Sequence, residues 1–434
     1  MTSTIEIRNK FFVDSLTNKP FFIRGVDYQP GGAAAVNANN DPLSDPTVCA
    51  RDIGLFNNLG INTVRVYSVN PALDHDVCMT LLAQAGIYLV LDVNTPLEGQ
   101  HLNRYEPWTT YTSTYLEHVF KVVKKFSYYS NTLAFFAGNE IINDEKSAQN
   151  SPVFVKQLIN DIHLFLDKQC PRSVPVGYSA ADDLNYRVSL SKYLECDDPR
   201  FPQGSVDFYG VNTYQWCGDQ DFESSAYDKL VSDYANYTKP VFFSEFGCNK
   251  VTPRKFQEIE ALYSNKMFKT FAGGLVYEFS QEANEYGLVD IDPVTNGVKL
   301  LKDFVTLKSQ LARNPAPDSS QISMNSLEKS MRTNIPVCEE KYDNLEIDHD
   351  FPADQAKELI KKGVDVDAGK FVKIIAADIT NKYKILDPNG NNYDVAFKFK
   401  DLPTSTAETS RPTSSEMSRP KKCMYFQKKN MISS

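Results

Sequence analysis

The chain has 434 residues, of which 42% are hydrophobic and 23% are charged, and its formal net charge is −9 at pH 7. This length is too great for a single ordinary core and favours one large domain with a smaller annex. An acidic chain without a basic face does not suit a phosphate backbone, so nucleic acid is excluded as a partner. No run of apolar residues is long enough for a membrane-spanning helix.

The N-terminal residues are predicted to form a β-hairpin. Residues 5–13 have the pattern of a strand, 14–19 are polar turn residues, and 20–23 resume a strand. A hairpin in this position commonly closes the bottom of a barrel, and that role is expected for it here.

Eight short runs of apolar, β-branched or aromatic residues are predicted to be strands. They are 21–28, 63–69, 87–93, 133–140, 174–179, 208–214, 241–247 and 274–280. Helical patterns lie between most of them, at 47–59, 71–85, 111–129, 152–167 and 252–269. Because strands buried on both faces alternate with helices, the connections should be right-handed parallel crossovers.

Eight such units predict an α/β protein whose strands close into a (β/α)8 barrel, the TIM barrel. The alternative is an open, doubly wound sheet. That fold is disfavoured because Gly31 and Gly32, which follow the first strand, do not open a helix in the manner of a phosphate-binding loop.

The composition changes after the last predicted strand. The barrel with its hairpin is expected to span residues 1–312, and residues 313–335, which begin RNPAPDSS, have the composition of a linker. Residues 336–402 are predicted to form a small α+β annex, with a helix at 354–362, a strand at 371–375 and a hairpin around 387–390. Residues 403–434 are rich in Ser, Thr, Arg and Pro, so a disordered tail is expected there.

A glutamate stands at the end of the fourth predicted strand and another at the end of the seventh. Glu140 closes the run FFAGNE, and Glu245 lies in FFSEFG. Barrel active sites lie at the C-terminal ends of the strands, so these side chains should face each other across the mouth. A retaining glycosidase needs two carboxyls about 5 Å apart, one as general acid and base and one as nucleophile. The alternative is a pair of ion-paired scaffold residues.

Three neighbours of these glutamates have side chains that suit a sugar. Asn139 is placed to hydrogen-bond a 2-hydroxyl, a contact that strengthens in the transition state. The Tyr214 hydroxyl is expected to orient Glu245, and the Tyr277 ring is expected to stack on a glucose unit. The alternatives are a turn residue for Asn139 and core residues for the two tyrosines.

The sequence contains eight cysteines and five histidines, without a CxxC pair or a Cys/His cluster at zinc spacing. Neither a metal nor a cofactor is therefore expected. The number of cysteines is high for a cytosolic protein and fits a secreted one. Asn236 begins the sequon Asn236-Tyr237-Thr238 and is a candidate glycosylation site.

Five short motifs occur in order along the barrel region. They are GVDYQPGG at 25–32, RVYS at 65–68, GNE at 138–140, PVGYS at 175–179 and SEFGC at 244–248. Together they resemble glycoside hydrolase family 72, the fungal cell-wall β-1,3-glucanosyltransferases. The resemblance implies an enzyme that cleaves an internal β-1,3-glucan bond through a covalent glycosyl-enzyme. It then transfers the segment to the non-reducing end of another β-1,3-glucan, which elongates the cell-wall glucan.

The resemblance also implies roles for individual residues and partners. Glu140 would be the acid/base and Glu245 the nucleophile. Contacts with substrate are implied for Gln29, Tyr67, Asp92, Asn139, Tyr214 and Tyr277. A further contact is expected from Asp182 or Asp183, and the sequence does not choose between them. Donor and acceptor β-1,3-glucans are the implied partners, and a monomer is expected.

Three disulfides are implied by the same resemblance: Cys49–Cys78, Cys196–Cys338 and Cys217–Cys248. The second would tie the barrel to the annex, and the third would clamp the rim of the active site. Cys170 and Cys423 would remain unpaired.

Two features depart from the pattern of many family members. Only Cys338 and Cys423 lie beyond residue 250, so the chain resembles the subgroup without a Cys-rich glucan-binding module. Members usually enter the secretory route and carry a lipid anchor at the extracellular face of the plasma membrane or in the cell wall. The N-terminal MTSTIEIRNK has no apolar segment typical of a signal peptide, and the C-terminal KKCMYFQKKNMISS has no hydrophobic anchor tail.

Two other functions fit the same barrel. An endo-β-1,3-glucanase would use the same two glutamates, with water in place of the acceptor sugar. A non-catalytic scaffold that binds the wall would have the barrel without the chemistry. Both glutamates are present together with Asn139 and Tyr214, which favours an enzyme.

Overall fold

The N-terminal region forms a three-stranded antiparallel sheet in the computed structural model, which describes residues 2–322, 335–351 and 354–400. Its strands are β1 (Ile5–Arg8), β2 (Phe11–Asp14) and β3 (Pro20–Phe21), paired in that order. The single strand predicted for residues 5–13 is therefore wrong. A tight turn divides it at Asn9, whose φ of 57° is a conformation that asparagine tolerates better than most residues.

The sheet closes the bottom of the barrel, as predicted. Phe12 of β2 is fully buried. Its ring lies 6.0 Å from that of Phe208 and 5.9 Å from that of Phe242, both near the N-terminal ends of barrel strands. This aromatic cluster fills the base and leaves the opposite end free for polar side chains.

Eight parallel strands form a closed barrel, which confirms the predicted (β/α)8 architecture. They are β4 (Ile23–Asp27), β5 (Thr63–Val66), β6 (Tyr88–Asp92), β7 (Thr132–Asn139), β8 (Val176–Ala181), β9 (Phe208–Thr213), β10 (Val241–Phe246) and β11 (Phe271–Val276). The last strand pairs with the first, with Gly274 opposite Arg24 and Val276 opposite Val26. That closure excludes the open, doubly wound sheet.

Helices surround the barrel, and those in the predicted segments 47–59, 111–129 and 152–167 follow the predictions closely. The helices are α1 (Pro46–Leu59), α2 (Asp76–Gln84), α3 (Pro107–Thr110), α4 (Ser113–Ser127), α5 (Glu145–Asn150), α6 (Pro152–Gln169), α7 (Arg187–Glu195), α8 (Tyr227–Tyr234), α9 (Glu258–Leu262) and α10 (Lys302–Arg313). Helix α1 begins where the Asp45 side chain accepts from the backbone N–H groups of Thr47 and Val48. It ends at Gly60, whose φ of 79° suits glycine.

Helix α9 is much shorter than the predicted helix at 252–269. Pro253 has no N–H to donate to a helix, and Phe256 has a φ of 51°, outside the helical range. Residues 252–257 therefore form a loop beyond β10, and this loop contributes to the site described below.

The chain continues past α10 along the outside of the barrel. It includes α11 (Lys357–Lys362), a 3-10 turn (Ala376–Ile379) and β14 (Ile385–Leu386). Before α10, β12 (Val289–Ile291) and β13 (Val298–Leu300) form an antiparallel hairpin, and β14 pairs in parallel with β13. The strand predicted at 371–375 does not form. That segment lies on the barrel helices instead, where Val372 donates its backbone N–H to Thr80 Oγ1 and the Phe371 ring packs on Tyr129.

The described residues, which end at Lys400, belong to one compact unit. Apolar side chains of the predicted annex, including Ile347, Val364 and Ile385, join the same core as the barrel helices. The described part of the annex therefore has no separate core, and its boundaries at 312 and 336 stay predictions. The predicted tail at 403–434 and residues 323–334 of the predicted linker lie outside the described residues.

All three predicted disulfides are present in the structure. Their Cα–Cα distances are 5.7 Å for Cys49–Cys78, 4.8 Å for Cys196–Cys338 and 5.2 Å for Cys217–Cys248. The first joins α1 to the start of α2, and the third joins the loops that follow β9 and β10. Cys170 is a free thiol, and Cys423 lies outside the described residues.

Candidate active site

Glu140 and Glu245 occupy the C-terminal ends of two barrel strands. Glu140 directly follows β7, and Glu245 is the penultimate residue of β10. The guanidinium of Arg65, from the end of β5, connects the two sides. It donates to Glu245 Oε1 over 3.3 Å and to Asn139 Oδ1 over 3.1 Å. The structure therefore brings both glutamates and Asn139 into one hydrogen-bonded centre.

Three side chains donate to the Glu245 carboxylate. The Tyr67 hydroxyl and the Arg65 guanidinium reach Oε1, at 2.7 Å and 3.3 Å, and the Tyr214 hydroxyl reaches Oε2 at 2.7 Å. Both oxygens are held, and the residue is only 8% exposed. Hydrogen bonds on both oxygens fix the direction in which the carboxylate points, and the role of Tyr214 in orienting it stays a prediction.

Burial and hydrogen bonding act in opposite directions on this carboxyl. Burial raises the pKa of Glu245 above its ordinary value, whereas Arg65 and the two tyrosine hydroxyls lower it. Burial also raises the pKa of the Tyr67 and Tyr214 hydroxyls well above the usual range. Both tyrosines therefore keep their protons and remain donors at any physiological pH.

Arg65 itself is fully buried and is held by Asp92. Its Nε and Nη2 each donate to one Asp92 oxygen over 2.9 Å, a bidentate pair. The guanidinium also lies over the rings of Tyr67 and Phe136, 4.2 Å and 4.6 Å from their centroids. Asp92, predicted as a contact for substrate, is thus committed to orienting Arg65.

Among the described residues, one side chain donates to Glu140. Asn212 Nδ2 donates to Glu140 Oε1 over 2.9 Å and to Asn139 Oδ1 over 3.0 Å. The hydroxyls of Ser179 and Ser244 both donate to Asn212 Oδ1, at 3.0 Å and 2.7 Å. These two hydroxyls fix which way the Asn212 amide faces, so its NH2 group is turned towards Glu140.

The backbone at Glu140 is unusual for a residue with a side chain. Its φ is 47°, in the left-handed region, and its N–H donates to Ser179 O over 2.8 Å. Such a conformation costs about 1 to 3 kcal/mol and persists where the surrounding structure enforces it. It turns the chain out of the strand at the point where the carboxyl enters the cleft.

Asn139 has its amide oxygen occupied on two sides. Both Arg65 and Asn212 donate to Oδ1, so the NH2 group is the part of the amide left to face the cleft. That orientation agrees with the predicted donation to a sugar hydroxyl.

Gln29 lies two residues beyond the end of β4 and is 2% exposed. Its Oε1 accepts from the backbone N–H groups of Tyr67 and Ser68, at 3.0 Å and 3.1 Å, and its Nε2 donates to Ser68 O. The structure therefore places Gln29 as a support for Tyr67, whereas the resemblance implies direct contact with substrate.

Asp182 and Asp183 lie outside the hydrogen-bond network of the two glutamates. Asp182 pairs with Arg187 over 2.8 Å, and Asp183 accepts from the backbone N–H and side chain of Asn185. Both are half-buried in the loop after β8. The choice between them as a contact for substrate stays open.

Tyr277 belongs to a cluster of tyrosines at the mouth. Its ring centroid lies 6.5 Å from that of Tyr67, 6.3 Å from that of Tyr214 and 5.2 Å from that of Tyr286, all edge to face. Tyr286 in turn lies 5.6 Å from Tyr214. We call Tyr214, Tyr277 and Tyr286 the tyrosine wall. The stacking of a glucose unit on Tyr277 stays a prediction.

Two further carboxyls, Asp27 and Glu278, lie close to Glu245. Asp27 is fully buried, and neither of its oxygens has a hydrogen-bond partner among the described residues. Burial raises the pKa of Asp27 well above its ordinary value and that of Glu278 to about 7. The raised pKa favours the protonated form of Asp27.

Arg65, Asn212 and Tyr286 were not predicted from the sequence as site residues. Arg65 had a usable signal, since an arginine inside the apolar run TVRV must find a buried anion. Asn212 similarly ends the apolar run FYGVN within β9. Tyr286 had no such signal, because its loop has no regular pattern.

A cavity of about 600 Å³ extends from the centre along one side of the mouth. Tyr67, Asp92 and Asn139 line its inner end, and His101 and Tyr105 line its outer part. The volume lies within the range of small-molecule sites and is open to solvent, as a cleft for a chain-like ligand must be.

Across residues 2–322, 335–351 and 354–400, no three His, Cys, Asp or Glu side chains are arranged to hold a metal ion. None of the helices there combines the length and apolarity needed to span a bilayer. Asn236 of the sequon is exposed in the turn after α8, while the Thr238 hydroxyl donates to Glu195.

Comparison with known proteins agrees with this geometry. The sequence model of the glucanosyltransferase family, glycoside hydrolase family 72, matches residues 1–314. The chain is 58% identical to 1,3-beta-glucanosyltransferase GAS4 of Saccharomyces cerevisiae, over 90% of this chain and 82% of that protein. It is 44% identical to 1,3-beta-glucanosyltransferase gel2 of Aspergillus fumigatus, over 89% and 80%.

Solved structures show the same likeness. The complex of Saccharomyces cerevisiae Gas2p with laminaripentaose superposes with a TM-score of 0.72 at 37% identity, over 80% of this chain and 75% of that one. A mutant of Gas2p, bound to laminaritetraose and laminaripentaose, superposes with a TM-score of 0.68 at 39% identity, over 73% and 69%. On the extent of these matches, the chain belongs to the glucanosyltransferases of glycoside hydrolase family 72.

Proposed function

We propose that this protein is a retaining 1,3-β-glucanosyltransferase with Glu245 as nucleophile and Glu140 as general acid and base. The observation that carries the proposal is the contrast between the two carboxyls in one cleft. Glu245 is held by three donors, and Glu140 by one neutral amide. The relatives GAS4 and gel2 bear the name of this activity, and Gas2p has been solved with laminari-oligosaccharides.

The first chemical step forms the glycosyl-enzyme. A Glu245 oxygen attacks the anomeric carbon of the glucose unit at the cut, and the bond from that carbon to O3 of the next unit breaks. Glu140 gives its proton to the departing oxygen, so the released glucan leaves as an alcohol. The anchoring of both Glu245 oxygens supports this assignment, because an attacking carboxylate must be aligned before the reaction.

Arg65 and Asn139 contribute to this step without exchanging protons. Arg65 lowers the pKa of Glu245 against the effect of burial, which favours the ionised carboxylate. The NH2 group of Asn139 is positioned to donate to the 2-hydroxyl of the reacting sugar, where a hydrogen bond strengthens as positive charge develops. Asn212 supports both Asn139 and Glu140 from below.

The second step transfers the segment. The 3-hydroxyl at the non-reducing end of another glucan attacks the anomeric carbon, Glu140 takes the hydroxyl proton, and the ester bond to Glu245 breaks. Two inversions give net retention of the β configuration. The product is a longer β-1,3-glucan, and both proton transfers use the same Glu140 carboxyl.

A hydrolase differs only in what meets the glycosyl-enzyme. Water in place of the acceptor would make the protein an endo-β-1,3-glucanase. Transfer is favoured here by the names of the relatives across most of the chain. With wall glucan as substrate, the enzyme would act at the extracellular face of the plasma membrane or in the cell wall, and three disulfides suit that oxidising location.

The test is a product-length profile. Purified protein is incubated with a reduced laminari-oligosaccharide of one length, and the products are resolved by mass, with Glu245→Gln as the inactive control. Products longer than the starting oligosaccharide support transfer. Shorter products alone would make the protein a hydrolase, and unchanged substrate with correctly folded protein would leave only the scaffold function.

A further inference from the structure

A buried arginine outside the catalytic centre holds two active-site loops together. Arg254 lies in the loop after β10 and is 2% exposed. Its Nη1 donates to Gly247 O over 3.1 Å and to Tyr277 O over 2.6 Å, and its Nη2 donates to Tyr286 O over 2.6 Å. These three carbonyls belong to the loops that follow β10 and β11, so one guanidinium joins both.

A carboxylate on a separate element anchors this guanidinium. Asp303, in the first turn of α10, accepts from Arg254 Nε over 2.6 Å and from its backbone N–H over 3.1 Å. Hydrogen bonds between charged groups are stronger than neutral ones, and the planar fork of arginine sets their directions. The two loops are thereby fixed to a helix of the barrel shell.

The loop after β11 carries Tyr277 and Tyr286, two members of the tyrosine wall, and Tyr214 follows β9. The ring of Tyr286 packs edge to face on Tyr214 and Tyr277, and the Tyr214 hydroxyl donates to Glu245 Oε2. The guanidinium also lies 5.7 Å from the centroid of the Tyr286 ring. A path of direct contacts therefore leads from Asp303 through Arg254 and Tyr286 to the hydroxyl that orients Glu245.

We propose that Arg254, anchored by Asp303, is a positioning residue that holds the tyrosine wall against Glu245 and against the bound glucan. The inference rests on the glucanosyltransferase function proposed above. Arg254 does not touch Glu140 or Glu245 in the structure, and it acts through the main chain of Tyr277 and Tyr286. The wall is the surface that a glucose unit meets beside the nucleophile.

Lysine in place of Arg254 removes the planar fork and cannot reach three carbonyls at once. The loops after β10 and β11 then lose their common anchor, and the wall shifts relative to Glu245. A misplacement of about 1 Å in an active site lowers the rate by as much as about 100-fold. We expect Arg254→Lys to lower kcat by about tenfold or more and to weaken glucan binding.

The chain offers a matched control in Arg172. Its guanidinium also donates to three backbone carbonyls, those of Ser127, Tyr129 and Thr132, but at the opposite end of the barrel. Arg172→Lys therefore makes the same chemical change, with a similar loss of thermal stability, away from the wall. Its kcat and its ratio of transfer to hydrolysis products are expected to match those of the unaltered protein.

The experiment compares Arg254→Lys, Arg172→Lys and the unaltered protein in three readouts. The first readout is the thermal midpoint. The second is turnover of laminari-oligosaccharides, given by kcat, KM and the ratio of longer to shorter products. The third is the calorimetric affinity for laminaripentaose. Asp303→Asn is a milder variant that keeps the guanidinium and loosens only its anchor, so it serves if Arg254→Lys does not fold. A fall in kcat and affinity at Arg254 or Asp303, absent at Arg172, supports the proposal.

The proposal would be overturned if the Arg254 and Arg172 variants lost activity in the same proportion to the fall in their thermal midpoints. Arg254 would then be an ordinary structural arginine. Inactivity of the unaltered protein on laminari-oligosaccharides would instead contradict the proposed function. In that case the affinity for laminaripentaose still reports on the wall, since binding does not require turnover. Unchanged affinity and turnover in Asp303→Asn and Arg254→Lys would likewise end the proposal.

Discussion

The surroundings of Glu245 and Glu140 differ although the two carboxyls share one cleft. Glu245 has hydrogen bonds on both oxygens, from two tyrosines and an arginine, and it is 8% exposed. Glu140 accepts on one oxygen from Asn212, is half-buried, and stands on a left-handed backbone turn. No hydrogen bond from the described residues ends on its other oxygen.

The difference matches what each role requires. A nucleophile must remain an anion in a fixed direction, which many donors provide at the expense of mobility. A group that first gives and then takes a proton must keep one oxygen free for the sugar oxygen. An amide such as Asn212 orients the carboxyl without adding a charge. The two roles can therefore be read from the donors around each glutamate.

The largest expected effect is on turnover, and substrates with different leaving groups distinguish the two roles. With laminari-oligosaccharides, Glu140→Ala and Glu245→Ala should each lower kcat by about 1,000-fold or more. With a 2,4-dinitrophenyl β-laminarioside, whose leaving group needs no proton, Glu140→Ala should still release dinitrophenolate in a burst, and Glu245→Ala should not. Absorbance of the released phenolate measures both.

The control for this comparison is Glu260→Ala, on the exposed side of α9. It removes a carboxyl away from the cleft and should leave both substrates unaffected. A burst from the Glu245 variant but not from the Glu140 variant would reverse the assignment of nucleophile and acid.

The second expected effect concerns the tyrosines on Glu245. Each hydroxyl lowers the pKa of this carboxyl, so Tyr214→Phe or Tyr67→Phe should raise it. Because activity requires ionised Glu245, the acid limb of the kcat/KM profile should move to higher pH, with a loss of about tenfold in kcat/KM at neutral pH. Tyr111→Phe deletes a comparable hydroxyl–carboxylate bond, to Asp161, away from the site and should leave the profile in place.

A smaller effect is expected on the side of Glu140. Asn212→Ala removes the donor to Glu140 and Asn139, and kcat should fall by about tenfold. The donors to Glu245 are unchanged in this variant, so the acid limb of the kcat/KM profile against pH should not move. A shift as large as that of Tyr214→Phe would show that Asn212 acts on the nucleophile, and the comparison of the two sides would be wrong.

The sequence predicted the barrel and both glutamates because each depends on local pattern. Buried strands are continuous apolar runs, and a carboxyl that ends such a run is conspicuous. Arg65 and Asn212 were missed because their partners lie on strands distant in the chain, and only barrel closure brings them together. Contact between Gln29 and substrate stays a prediction, and in the structure the Gln29 amide oxygen accepts from the backbone N–H groups of Tyr67 and Ser68.

Tertiary contacts also explain the errors in the fold. The segment 371–375 has a strand pattern, but helix surfaces offer its apolar side chains burial and its N–H groups acceptors such as Thr80. Helix α9 is short because residues 252–257 form a loop, from which Arg254 donates to the carbonyls of Tyr277 and Tyr286. In both places the local pattern was sound, and a longer-range contact determined the conformation.

The smallest expected effect comes from a third buried glutamate, Glu258 in α9. It is as buried as Glu245, but no side chain of the described residues donates a hydrogen bond to it, and burial raises its pKa to about 7. The proton is therefore bound more tightly in the folded state than in the unfolded chain. Stability from this group is complete below about pH 4.5 and is lost as pH rises through 7, by at most about 3 kcal/mol.

Glu258→Gln keeps the shape of the protonated side chain and removes the titration. Its thermal midpoint should equal that of the unaltered protein near pH 4.5 and exceed it at pH 8, with kcat unchanged at neutral pH. Glu260→Gln, two residues along the same helix and exposed, should show no such difference between the two pH values. An equal midpoint for Glu258→Gln and the unaltered protein at pH 8 would mean that Glu258 is ionised at little cost. The fewer donors around Glu258 would then not make its ionisation different from that of Glu245.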